Sequence, residues 1–237
     1  GHPVAAEPVV SEGKIDEFRE KHDLGDDQLI TILPGSRMSE IKRLAPIFLE
    51  TAKQIKAEIP YTRLAIPVAG EHLIAPLKDA LKDADIDAIL LLPDTQSAAQ
   101  TSETKRICFA ASQAALAASG TVSIELAAAG VPMVIGYKVN FLTGWIMRRA
   151  MLAPSFTLVN LLTDTLTVPE FHSSACNVAN LKRELVNLLQ NPEARAEQLR
   201  IGEQAIVALG RGGEDPGIRA AKSVLEAKKT PEKSSGA

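Results

Sequence analysis

The sequence predicts an α/β fold: a Rossmann-like parallel sheet flanked by helices, with a helical C-terminal extension. Two observations carry this expectation. Short runs rich in β-branched, leucine or alanine residues recur at 29–33, 64–68, 88–92, 114–118 and 133–137, each predominantly apolar rather than alternating. Such runs suit strands buried on both faces. Segments of helical period lie between successive runs, which indicates βα units and a parallel sheet.

Taken in order, Ser11 to Leu24 reads as a charged helix with Ile15, Phe18 and Leu24 on its apolar side. Gly25-Asp26-Asp27 turns into the first strand, Leu29 to Leu33, which Pro34-Gly35 closes. The helix that follows carries Leu44, Phe48, Ala52, Ile55 and Ile59 at helical spacing. Proline is best tolerated in a first turn, so Pro46 places the helix start there and makes Met38 to Arg43 a lead-in turn. Leu64 to Val68 is the second strand, Ile74 to Ala84 a helix, and Ala88 to Leu92 the third strand. The polar stretch Gln96 to Arg106 reads as a flexible loop before a helix carrying Cys108 and Phe109. Ala114 to Ala118 and Met133 to Tyr137 are the fourth and fifth strands, with the helix Val122 to Ala129 between them, stopped by Gly130. Asn160 follows a sixth strand, and helices are expected over Val178 to Leu189, Pro192 to Leu209 and Pro216 to Lys228. Thr230 to Ala237 is polar and reads as disordered.

Composition narrows the function classes. An apolar share of 46% supports a true core, and a net charge of −3 offers no general attraction to nucleic acid. Cys108 and Cys176 stand outside any C-x-x-C context, and the four histidines show no metal-ligand spacing. No apolar run approaches the ~20 residues that span a bilayer. The chain begins Gly1-His2-Pro3 without an initiator methionine, so a piece of a longer protein is expected.

Two strand ends carry the chemistry. Ser119-Gly120-Thr121 turns a strand into a helix, leaving the first backbone N–H groups unpaired and suited to phosphate. Glu125, four residues on and about 6 Å along the axis, would repel phosphate and instead suits the hydroxyls of a ribose. Phosphate first and sugar one turn deeper describes a nucleotide. The plain alternative is a capped core helix with a solvent-facing Glu. Pro34-Gly35-Ser36-Arg37 sets a guanidinium beside a turn, and its planar fork fits a pyrophosphate. A solvated Arg is the alternative there, with Glu40 free to pair with Arg37 or Arg43. A lone Asn160 reads as a turn residue satisfying its own backbone. The segment Phe141 to Leu152 is apolar nearly all round, with Arg148 and Arg149 interrupting it. It reads either as a buried or subunit-contact helix, and so a homo-oligomer, or as a membrane-surface contact through Trp145 and the two arginines. No G-x-G-x-x-G, Walker A, G-x-S-x-G or H-E-x-x-H pattern competes.

Together these residues resemble the C-terminal half of the lipid-A-disaccharide synthases, glycosyltransferases of the GT-B type. The resemblance runs through Gly1-His2-Pro3, Leu33-Pro34-Gly35-Ser36-Arg37 with Glu40, and Ala118-Ser119-Gly120-Thr121 with Glu125. It continues through Gly130-Val131-Pro132, Gly136-Tyr137, the Trp145 segment, Asn160-Leu161-Leu162 and Val168-Pro169-Glu170. The chain departs from the family at Phe171-His172-Ser173, where Leu-Leu-Gln is usual, and at Val159, where the family has proline.

The resemblance implies transfer of 2,3-diacylglucosamine from a UDP-sugar donor to 2,3-diacylglucosamine 1-phosphate, an acylated acceptor, giving the lipid A disaccharide and UDP. By position, Ser36, Arg37, Ser119, Gly120 and Thr121 would hold the diphosphate, Glu125 the ribose, and Asn160 the donor neighbourhood. No cofactor and no metal is implied. The general base is expected in the family's N-terminal half, so the chain alone should bind the donor but transfer poorly. A cytoplasmic protein, peripheral on the inner face of the bacterial inner membrane, follows from acylated substrates. The implied divisions are 1–28 as interdomain segment and first helix, 29–175 as the nucleotide-sugar-binding domain, 176–229 as helices and 230–237 as tail. Other UDP-N-acetylglucosamine transferases or epimerases of the same fold, or a non-catalytic nucleotide-binding module, are the rival readings.

Overall fold

A computed structural model describes residues 3–138 and 155–213. Six strands form one sheet: β1 (Gln28–Leu33), β2 (Thr62–Pro67), β3 (Ile89–Leu91), β4 (Ala114–Ala118), β5 (Met133–Tyr137) and β6 (Glu170–His172). Their spatial order is β3-β2-β1-β4-β5-β6, and every neighbouring pair is parallel. The helices are α1 (Glu12–Lys21), α2 (Met38–Glu58), α3 (Ile74–Ala84), α4 (Ala98–Ala110), α5 (Val122–Ala128), α6 (Leu158–Thr163), α7 (Val178–Gln190) and α8 (Pro192–Ala208).

Strand alternation sorts the core into two layers. Ile30, Ile32, Leu64, Ile66, Leu116 and Val134 face one side, where α2, α3 and α7 supply Phe48, Leu77, Leu181 and Leu185. Ala115, Ala117, Met133 and Ile135 face the other, against Ile124 of α5, Val159 of α6 and Ile201, Ala205 and Ile206 of α8. A smaller cluster joins Phe18 of α1 and Cys108 of α4 to Leu29 and Ala65. Full burial of each large side chain is worth ~1.5–3 kcal/mol, so covering both faces dominates the stability. Small residues set the spacing. A Cβ on Gly136 would lie 2.8 Å from the Phe48 ring, so glycine there lets α2 settle onto β5. Buried Thr31 is satisfied by Ser112 Oγ at 2.7 Å.

Three sequence expectations need correction. Met38 to Arg43 is not a lead-in turn, because α2 begins at Met38 and carries Pro46 in its interior. Pro46 is exposed, as is Lys42, whose carbonyl loses its helical donor. An interior proline costs ~3 kcal/mol. Ile41, Leu44 and Ala45, all buried, offset that by fixing the first turns on the sheet. Gln96 to Arg106 is not a loop: α4 starts at Ala98, with the Ser97 hydroxyl accepting from Gln100 N at 3.1 Å. Asp94 Oδ1 accepts from the N–H groups of Gln96 and Ser97 ahead of that cap. Lastly, Asn160 does not follow the sixth strand. It sits on α6, ahead of β6 at the sheet edge.

The C-terminal helices do not project from the sheet. Leu181, Leu185 and Leu188 of α7 complete one layer, and the α8 residues complete the other. The membrane-contact residues Trp145, Arg148 and Arg149 lie outside the described residues, as does the expected helix Pro216 to Lys228. Among the described residues no helix is long and apolar enough to cross a membrane.

Candidate nucleotide-binding cleft

The strand order reverses between β1 and β4. After β1 the chain crosses to α2 on one face, and after β4 to α5 on the other, so the two loops part and open a crevice beyond the strands' carboxyl ends. A cleft of about 560 Å³ occupies that position, a size typical of small-ligand sites. Leu91 at the end of β3 and Leu92 beyond it, with Val68 and Ala69 after β2, give it an apolar floor.

The β1 wall is the loop Gly35-Ser36-Arg37. Gly35 holds φ +122°, and a Cβ there would lie 2.4 Å from Glu40 Cβ, so both conformation and space demand glycine. The Glu40 carboxylate reaches back over the loop. It accepts from Ser36 N at 2.9 Å, Arg37 N at 3.3 Å and Arg37 Nη1 at 3.3 Å. Glu40 therefore pairs with Arg37, whereas Arg43 Nε donates to Ser39 O at 2.9 Å. The Arg37 side chain is 79% exposed, and Glu40 engages one of its five donors.

The β4 wall is Ser119-Gly120-Thr121. Helical bonding in α5 opens with Ser123 N donating to Gly120 O at 3.4 Å and Ile124 N to Thr121 O at 3.0 Å. The N–H groups of Thr121 and Val122 precede those bonds and stand at the cleft. The Thr121 hydroxyl makes no helix cap, which leaves it available to a ligand. Because α5 spans only seven residues, its dipole adds little and the local donors matter more.

A third wall comes from α4. Ala98, Thr101, Ser102 and Lys105 line the cleft at the spacing of a single helix face. Lys105 Nζ lies 2.5 Å from Glu125 Oε2 and 5.9 Å from the centre of the Phe109 ring. Sequence reasoning missed Lys105 because it took this stretch for a loop. The pattern Ser97-x-x-Gln100 is a helix-start signature that could have revealed it.

The cleft thus brings together Ser36, Arg37, Ser119, Gly120, Thr121 and Glu125, as the sequence expected. Asn160 is not among its lining residues. It is buried on α6, where Nδ2 donates to Val168 O at 2.9 Å and Glu170 Oε1 at 2.8 Å, and Oδ1 accepts from Val168 N at 3.0 Å. Glu170 is the hub of this cluster. It also accepts from Phe156 N at 2.9 Å and from the Ser155 hydroxyl, with His172 Nε2 3.4 Å away. Burial alone would raise its pKa, but the donors from His172, Ser155, Phe156 and Asn160 outweigh it and hold the carboxyl at about 2. His172, one of the departures from the family pattern, tilts its ring against Phe156 at 4.3 Å. Among the described residues no group of three or more His, Cys, Asp or Glu is placed to hold a metal ion.

Residues 1–216 match the sequence profile described as Lipid-A-disaccharide synthetase. The lipid-A-disaccharide synthase of Ruegeria pomeroyi is 40% identical over 226 residues, 95% of this chain and 55% of that protein. The chain spans about half the length of the curated relatives it matches. Among solved structures, HepE of Anabaena in complex with UDP-glucose aligns with a TM-score of 0.59 at 13% identity, over 96% of this chain and 55% of that one. The C-terminal CMP-Kdo binding domain of WaaA from Acinetobacter baumannii aligns with a TM-score of 0.55 at 13% identity, over 84% and 97% respectively. At such identities the two structures establish the fold alone, a Rossmann-like parallel sheet flanked by helices.

Proposed function

The chain belongs to the lipid-A-disaccharide synthetase family, and on that premise we propose that it forms the donor-binding half of a lipid A glycosyltransferase. The donor is a UDP-sugar, bound in the cleft between β1 and β4. The whole protein transfers 2,3-diacylglucosamine from UDP to 2,3-diacylglucosamine 1-phosphate. One observation carries the reading: a guanidinium from one strand end and a donor-rich turn from another line the same crevice, where the strand order reverses. Arg37 and the donors of Ser119, Gly120 and Thr121 take the diphosphate, with the exposed Ser36 hydroxyl beside them. Glu125 takes the ribose.

The chemistry follows from charge. When the bond from the anomeric carbon to the diphosphate oxygen breaks, the electron pair leaves with that oxygen and negative charge builds on UDP. Donors already aimed there stabilise the transition state more than the ground state. Asn160, with its amide spent on Val168 and Glu170, serves the donor neighbourhood by fixing the 155–170 segment. The acylated substrates reside in a bilayer, so the protein meets them peripherally, on the cytoplasmic face, through Trp145, Arg148 and Arg149. Calorimetry with UDP, without added metal, tests the cleft. Arg37→Ala is expected to weaken UDP by about 2 kcal/mol, roughly 30-fold. Unchanged affinity would move the diphosphate elsewhere.

A further inference from the structure

Four charged side chains line the cleft, and they form two pairs: Arg37 with Glu40, and Lys105 with Glu125. The pairs are built differently. Glu40 is committed to its own loop, because its carboxylate also accepts from the N–H groups of Ser36 and Arg37. For Glu125, the side-chain partner among the described residues is Lys105 at 2.5 Å. A ligand can therefore displace Lys105 without dismantling any backbone.

We propose that Lys105 and Glu125 are a separable pair that makes the cleft select a complete nucleoside diphosphate over either of its halves. The proposal deepens the donor-site reading and rests on it. When the nucleotide enters, ribose hydroxyls replace the ammonium on the Glu125 carboxylate. The released Lys105, with its four-carbon stem and three rotatable donors, turns to the diphosphate. Thr121 precedes Glu125 by four residues, about 6 Å along α5, a distance that a lysine stem can cover. A nucleoside alone breaks the pair and leaves the ammonium without an anion. Inorganic pyrophosphate alone draws off the ammonium and strands the carboxylate near another negative charge. Only a ligand that carries both parts compensates both ends of the broken pair, so ribose and diphosphate bind cooperatively through residues from two different helices.

The decisive variant is Lys105→Met, which keeps the stem and removes the charge. Calorimetry measures UDP and pyrophosphate, and uridine is followed by ligand-observed NMR, all on the 237-residue chain. Lys105→Met is expected to bind UDP about tenfold more weakly, as for loss of one charged contact. Uridine should move the other way, binding several-fold more tightly, because Glu125 no longer has to be released. Lys105→Arg should recover most of the UDP affinity, and a thermal melt on each variant checks its folding. A loss of UDP and uridine in equal measure would make Lys105 a support of the wall and overturn the proposal. UDP affinity unaffected by Lys105→Met would overturn it as well. Failure of the unaltered chain to bind UDP would sink the donor site itself, a result distinct from the other two.

Discussion

The two sides of the cleft differ in how their charges are held. On the β1 side, Gly35, Ser36, Arg37 and Glu40 lie within six residues of sequence, and the carboxylate that orders the loop is local. On the β4 side, Lys105 and Glu125 come from separate helices, with strand β4 between them in sequence. The first pair leaves its cation 79% exposed, and the second leaves its cation 33% exposed. A local pair can shape a loop and still present its Arg to an incoming anion. A long-range, half-buried pair instead gives up an existing interaction when ligand arrives, so it discriminates among ligands. The same cleft thus has one wall suited to capture and one suited to selection.

The contrast can be broken most sharply at Gly35. Gly35→Val adds a Cβ into Glu40 at a φ that L residues rarely adopt. The loop should lose its carboxylate anchor, and UDP should weaken by at least about 3 kcal/mol, a hundredfold or more. Calorimetry that found the variant equal to the parent would mean the β1 wall is not part of the site.

Glu170 sharpens the comparison by standing outside the cleft lining. Glu170→Gln should lower stability by about 2 kcal/mol while UDP affinity stays within error. Its pH dependence has a fixed sign. The folded carboxyl sits at about 2, below its ordinary 4.5, so its contribution is full above pH ~5 and fades as pH falls toward 2. Melting temperatures of parent and variant should therefore converge on acidification. A gap that stayed constant from pH 6 to pH 2.5 would show that the ionised carboxylate is not what matters.

The smallest effect per residue is expected at Arg148 and Arg149. If this segment meets anionic lipid, Arg148→Ser with Arg149→Ser should reduce co-sedimentation with anionic vesicles by ~1 kcal/mol per charge, more at low salt. Vesicle binding that stays the same while the melting temperature falls would assign the segment to the protein interior.

Legibility in the sequence followed the same divide between local and long-range. The limits of α3, β4 and β5 coincide with expectation. A run such as Ala114 to Ala118, buried at every position, leaves no solvent-facing residue to confuse it. The Gly35 and Ser119 turns were readable because their residue types announce their backbone. Pro46 misled, since a local penalty lost to the burial of Ile41 and Leu44. The α4 helix was hidden because most of its side chains are partly or wholly solvated, with Cys108 and Phe109 its buried residues. Lys105 vanished with it. The role of Asn160 could not be read either, because its partners Val168 and Glu170 lie across a turn whose path the sequence does not give.

One residue between the last two helices has a consequence for how the molecule assembles. Asn191 ends α7, its N–H donating to Asn187 O at 2.8 Å, and begins α8, its side-chain oxygen accepting from Glu193 N and Ala194 N. The chain passes there from one face of the sheet to the other. During synthesis the sheet is complete at His172, yet the cover of each face stays unfinished until Leu188 and then Ile206 have left the ribosome. A nascent chain stalled before Val178 would carry two partly uncovered greasy surfaces at once, each lacking its last helix. It is therefore a natural client for chaperones, and the thirty or so residues from Val178 to Ala208 close the two faces one after the other.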